Sequence, residues 1–159
     1  MMVAAALPPM MLDRARIAID EAAELARGKT ATGRSSALWM FPAAQSHIGQ
    51  AEAALRAART LVFQTLDDVW QWVLSGHDIT TTQRADLLLS STQASETTVQ
   101  VVERMHALAG STSIYSGNPI ERCFRDIQVA RQHCFYTESR YEIFSRMYFG
   151  MESDYGLVM

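Results

Sequence analysis

The sequence predicts an all-α protein, an antiparallel up-down-up-down four-helix bundle. Three observations carry this reading. Between Pro42 and Pro119 the chain holds no proline, and its glycines there are Gly49, Gly76, Gly110 and Gly117. Alanine is the commonest residue, which favours helix. Apolar residues recur at alternating steps of three and four between short polar connections, so long helices return as antiparallel neighbours. No stretch of useful length shows the alternation of a strand.

The first helix is expected from about Pro9 to Arg27, leaving residues 1–8 as an N-terminal extension. Pro9 suits a first turn, where no amide donor is needed. Leu12, Ala15, Ile19, Ala22 and Ala26 share a face, and Gly28 stops the helix. Lys29 to Ser36 reads as a polar linker. The second helix is expected from about Ala43 to Ser75, with room for an extra turn before Pro42. Its seam is Ile48, Ala51, Leu55, Ala58, Val62, Thr65, Val69 and Trp72, the spacing of left-handed bundle packing. Leu66 and Val73 widen that stripe, and Gly76 ends it. The third helix begins near Thr80 or Thr81, where Thr80 and Gln83 fit a capping box. Its seam is Ala85, Leu88, Thr92, Ser95, Val99, Val102 and His106. The small residues Thr92, Ala94 and Ser95 in its middle permit close helix approach. Gly110 stops it, and an uncharged, hydroxyl-rich loop runs to Asn118. The fourth helix has the clearest start: Asn118 as cap, Pro119 at the first position, Glu121 three after the cap. It is expected to run unbroken to about Tyr148 and end at Gly150. The bundle thus covers residues 9–150, with 151–159 as a loose tail.

Composition narrows the function classes. A chain of 159 residues is sized for one domain, and 48% hydrophobic content excludes a disordered one. A net charge of −3 argues against a dedicated nucleic-acid binder. The cations are arginines apart from Lys29, with no polybasic run for a membrane surface. No apolar run approaches membrane-spanning length, and there is no basic leader before an apolar core, so a cytoplasmic protein is expected. Cys123 and Cys134, on one helix, would share a face about 16 Å apart along the axis, too far for a disulfide. Both read as reduced core or interface thiols. Phe63, Trp70, Trp72, Phe135, Tyr141, Phe144 and Phe149 cannot all face one four-helix core. A subunit interface is therefore expected.

Most familiar catalytic signatures are missing. There is no phosphate-binding glycine loop, no H-E-x-x-H, no C-x-x-C and no G-x-S-x-G. Glu103 and His106 form a single Glu-x-x-His, whereas a di-iron bundle needs two, so no metal site is expected. One dense segment remains, His106 to His133. Ala109-Gly110 ends a long helix, Ser111 to Gly117 forms a hydroxyl-rich loop, and Pro119-Ile120-Glu121-Arg122-Cys123-Phe124-Arg125-Asp126 opens the next helix. These pieces resemble the C-terminal bundle of the acyl-CoA dehydrogenase superfamily. Ala15 to Asp20 resembles that bundle's first helix and Gln45 to Ala58 its second.

Dehydrogenases of the superfamily commonly carry a catalytic glutamate, in an E-G-T turn, nine residues beyond the arginine of Arg-Asp. Here that position is Cys134, and His133 precedes it. That pattern is similar to the flavin-dependent monooxygenase branch, in which a histidine stands over the flavin and substrate. Histidine suits the place, because it titrates near neutral pH and can hydrogen-bond a reacting oxygen. The resemblance implies FAD or FMN as cofactor and His133 as catalytic residue. It places Arg125, Ser111 and Ser113 at the phosphate end of the flavin. It gives His106 the place of a residue touching the adenine end and sets Gln45 near a neighbouring subunit's cofactor. It also implies a dimer or tetramer. The family's helical and β domains have no counterpart in these residues, so a partner chain carrying them is the implied route to a complete site. Two other readings stay open: a non-catalytic oligomerisation or interaction module with no flavin of its own, and a bundle that holds a small apolar ligand between its helices.

Overall fold

The computed structural model describes residues 2–30, 32–133 and 139–151, with side chains from Leu7 onward. Among these residues the fold is built from α1 (Met2–Gly28), α2 (Pro42–Leu74), α3 (Thr81–Ala109), α4 (Pro119–Ala130) and α5 (Ser139–Tyr148). Short 3-10 turns at Leu38–Met40 and Gly110–Ile114 lead into α2 and α4. The extended pairing among the described residues is a lone bridge, Thr30 to Ala37, which closes the α1–α2 linker.

α1 and α3 form the centre and run parallel. Their C-terminal ends meet at Lys29, whose Nζ donates to the Ala109 carbonyl at 2.6 Å and to Thr112 Oγ1 at 2.8 Å. Ala15, Ala18 and Ala22 of α1 join Ala94, Val102 and Met105 of α3 in one buried core. Alanine faces bring helix axes to the short end of their packing range. α2 flanks this pair antiparallel, burying Ala51, Leu55, Ala58 and Val62. Two polar stitches fix its register: Arg16 to Glu52, and Arg104 Nη1 to Gln50 Oε1 at 2.6 Å. α4 flanks it as well, burying Ile120, Cys123 and Ile127. α5 covers the earlier half of α3, where the Tyr141 hydroxyl lies 3.1 Å from Gln93 Oε1 and 3.0 Å from Glu96 Oε2.

Because α3 is enclosed by α1, α2, α4 and α5, it is buried well beyond the predicted seam. Ser90, Ser91, Thr92, Ser95, Thr97 and Thr98 are all buried on it. Their hydroxyls need partners there. Ser90 and Thr98 donate to the carbonyls of Leu87 and Ser95, and Thr92 donates to Leu88. These bonds stay within the helix, so the hydroxyls take small-residue positions without requiring polar groups from neighbours.

The predicted caps form. Gln83 N donates to Thr80 Oγ1 at 3.2 Å, and Thr80 N donates back to Gln83 Oε1 at 2.9 Å. Gly110 ends α3 at φ 59°, a conformation that favours glycine. Asn118 Oδ1 accepts from Ile120 N at 2.8 Å. Glu121 does not complete a box there, because Asn118 N already donates to the Tyr115 carbonyl.

Three expectations are corrected. First, α1 begins at Met2, so Pro8 and Pro9 lie inside it. Proline inside a helix removes a hydrogen bond and crowds the preceding turn. Pro8 is among the fully buried side chains, and that packing offsets the cost. Second, the fourth helix is not continuous. It stops at Ala130 and resumes as α5 at Ser139. Arg131 and Gln132 are exposed, so no apolar face holds a continued helix on α1. Third, Trp72 and Val73 are exposed. Trp72 instead stacks on His77, with centroids 4.4 Å apart, and its Nε1 donates to the Asp78 carbonyl, bracing the α2–α3 turn. Cys134, Phe135 and residues 152–159 lie outside the described residues.

Candidate functional site

The break in the fourth helix sets the geometry of the site. After Ala130 the chain turns, with His133 N donating to the Ala130 carbonyl at 3.1 Å. This turn places His133 on a groove between α1 and α4 of about 580 Å³. Leu7, Met10, Ile127, Val129 and Ala130 form its apolar wall. Arg14, Asp126, Gln132 and His133 form its polar edge. Its size lies within the range of small-molecule sites, roughly 300–1,000 Å³.

Arg14 and Asp126 face each other across the groove floor. Arg14 Nε lies 3.8 Å from Asp126 Oδ2, and Arg122 Nε lies 3.9 Å from the same oxygen. Beneath them Cys123 is buried, and burial pushes its thiol up in pKa, although Arg14 opposes that shift. A thiol held in this way is neutral and unreactive at physiological pH.

The other sequence-predicted residues are spread along the bundle. His106 closes α3 and packs on Phe124 of α4 at a centroid distance of 4.5 Å. Ser111 is exposed in the 3-10 turn that follows. Ser113 is fully buried, and its hydroxyl lies 3.0 Å from the His106 carbonyl and 2.7 Å from the Gly110 carbonyl. Its donor therefore ties off the end of α3. Arg125 is exposed on α4, with Nη2 3.5 Å from Glu121 Oε2. That oxygen is buried and has no hydrogen bond, so Arg125 meets it by charge alone. Gln45 sits in the first turn of α2, with Nε2 donating to the Trp39 carbonyl at 3.1 Å. The structure thus gathers His106, Ser111 and Ser113 around the α3–α4 junction and sets Arg125 midway along α4 beside Glu121. It sets His133 at the far end of α4 and keeps Gln45 on a helix that does not line the groove.

Sequence reasoning missed Leu7, Met10 and Arg14. The signal was present: they recur at steps of three and four, one face of a helix. Starting that helix at Pro9 put Leu7 in the extension and hid the stripe. Among the described residues no cluster of His, Cys, Asp or Glu could hold a metal ion. No described helix is long and apolar enough to cross a membrane.

Comparison with known proteins supplies the family. The model of the acyl-CoA dehydrogenase C-terminal domain matches residues 5–138. An indole-3-acetate monooxygenase from Pseudomonas putida is 36% identical over 138 residues, 87% of this chain and 36% of that relative. The HsaA monooxygenase from M. tuberculosis superposes with a TM-score of 0.86 at 21% identity, covering 99% of this chain and 40% of that one. XiaF from Streptomyces sp., solved with FADH2 and glycerol, superposes with a TM-score of 0.90 at 16% identity, over 96% of this chain and 39% of its own. At those identities the two structures speak to the fold. The chain spans little more than a third of the curated relative's length. It belongs to the acyl-CoA dehydrogenase family and corresponds to that family's C-terminal helical domain.

Proposed function

We propose that this chain forms the C-terminal wall of a flavin-dependent monooxygenase site acting on an aromatic substrate. The observation that carries the reading is the break after Ala130, which sets His133 at the mouth of an apolar groove. The monooxygenase relative supports oxygenation over dehydrogenation. The residues fit FAD or FMN as one wall of a site. The apolar wall suits a flat ring, while exposed Arg125 and Ser111 offer donors to phosphate and His106 presents a ring edge nearby. Ser113 supports this wall from within. When bound, the flavin supplies electron transfer and oxygen activation. His133 holds or accepts a proton at the substrate oxygen, a role open to an imidazole because its two ring nitrogens can donate and accept. The opposite wall is the work of the family's helical and β domains, on the same polypeptide or on a partner chain.

Self-association belongs to the same reading. Phe63, Trp70 and Leu74 form an exposed stripe along α2, on a face turned away from the core residues Ala58, Val62 and Val69. Trp70 is 60% exposed, and a stripe of this kind matches a second copy in a dimer or tetramer. A module that only oligomerises would use this stripe as well, and it would bind no flavin.

Reconstitution tests the reading. The chain is mixed with a separately produced polypeptide carrying the N-terminal and middle domains of the Pseudomonas putida relative. Flavin uptake and aromatic hydroxylation are then followed. We expect both, with His133→Ala lowering turnover roughly 10²–10⁴-fold while flavin stays bound. A complex that takes up no flavin, or one whose turnover ignores His133→Ala, would overturn it.

A further inference from the structure

We propose that two copies of this chain pair antiparallel along α2, about a two-fold axis at Phe63. This rests on the self-association reading above, takes a second copy as the partner and sets its register. A two-fold interface lays one patch against itself, so a residue some steps before the axis meets the residue the same number of steps after it. The exposed flank of α2 obeys that condition. Arg59 lies four residues before Phe63 and Asp67 four after. Arg56 lies seven before and Trp70 seven after. Steps of four and seven share one helix face, and all five side chains are exposed. Antiparallel pairing therefore sets Arg59 of each copy opposite Asp67 of the other, and Arg56 opposite Trp70. Parallel pairing in register would set each charge against its own kind, which is unfavourable.

The side chains are prepared for those partners. Among the described residues neither Arg59 nor Asp67 belongs to an ion pair. The Arg59 guanidinium lies over the Phe63 ring, 4.8 Å from its centroid, and Asp67 accepts from Gln71 Nε2 at 3.4 Å. The same flank opens on a groove between α1 and α2 of about 390 Å³. Pro9, Leu12 and Leu55 give this groove an apolar floor, and Arg56 and Arg59 stand at its edge. Arg56 donates to Glu52 at 2.6 Å, which anchors its guanidinium there. Trp70 of the second copy, arriving at Arg56, meets apolar surface for its indole and a cation to stack on. Buried tryptophan and arginine are the usual anchors of protein interfaces. The indole has little cover within its own chain, where it is exposed.

Sedimentation equilibrium of the whole chain and of charge-exchanged variants tests this. We expect the wild type to dimerise, and Arg59→Asp or Asp67→Arg alone to weaken the dimer roughly tenfold by setting like charges opposite. The two changes joined in one chain should restore it. These positions stand about 12 Å apart along α2, too far to pair within one helix, so the rescue reads contact between copies. A short bismaleimide should join Phe63→Cys to its own copy. It should leave Leu61→Cys, which faces the α2–α3 side, at the wild-type background. A double variant as weak as either single, or cross-linking at position 61 and not at 63, would overturn the register while a wild-type dimer keeps the self-association reading. A wild type that stays monomeric at every concentration overturns both, and leaves this flank to the family's other domains. Flavin uptake is read in a separate experiment and decides neither.

Discussion

Glu52 shows how much a single side chain on α2 contributes. Arg16 and Arg56 both donate to its carboxylate, the latter at 2.6 Å. The hydrogen bond from Arg16 and then that from Arg56 hold its pKa below the usual glutamate value. The folded state therefore releases this proton more readily than the unfolded chain. The resulting stability is present above the ordinary glutamate pKa and is lost as pH falls through the lowered one. Glu52→Gln should cost about 1 kcal/mol at neutral pH, and the difference from wild type should vanish in strong acid. Urea melts at a series of pH values measure this, and a pH-independent gap would contradict it. His133 was singled out from sequence because a histidine where relatives place a reacting group is conspicuous. Arg14 was not, because an arginine on a helix reads as a solvated charge until α4 is laid beside it.

At the scale of elements, local chemistry was readable and its limits were not always. Thr80 with Gln83, Asn118 with Pro119, and Gly110 each announce a boundary by a short-range hydrogen bond or a backbone conformation, and each boundary is where it was expected. Asn118→Ala should cost about 1 kcal/mol by removing the cap on Ile120 N, measured as a lower denaturant midpoint with an unchanged slope. An unchanged midpoint would show that the Pro119 turn holds α4 without it. The division of the fourth helix was harder to see, because helical periodicity continues on both sides of the break. The start of α1 was misread for the opposite reason. Proline is a local deterrent, and the burial that overrides it belongs to the tertiary structure.

For the whole molecule, the class of fold and its up-down-up-down order followed from composition and spacing, but the central place of α3 did not. That α3 sits at the centre is a consequence of its small hydroxylated residues, which read as a weak seam in one dimension and allow contact on several sides in three. The exposed stripe on α2 is the counterpart of that crowding, since apolar side chains left out of the centre remain outside. Trp70→Glu should shift a self-associated species to monomer in sedimentation equilibrium without changing helical content. An identical mass for both proteins would reject that face as the contact. Lys29 offers a way to watch the assembly from outside. It is the sequence's one side-chain amine, and it is clamped where the ends of α1 and α3 meet the loop leading to α4. Acylation by an amine-selective reagent must wait for that clamp to release, so labelling speed becomes a clock for the opening of that junction.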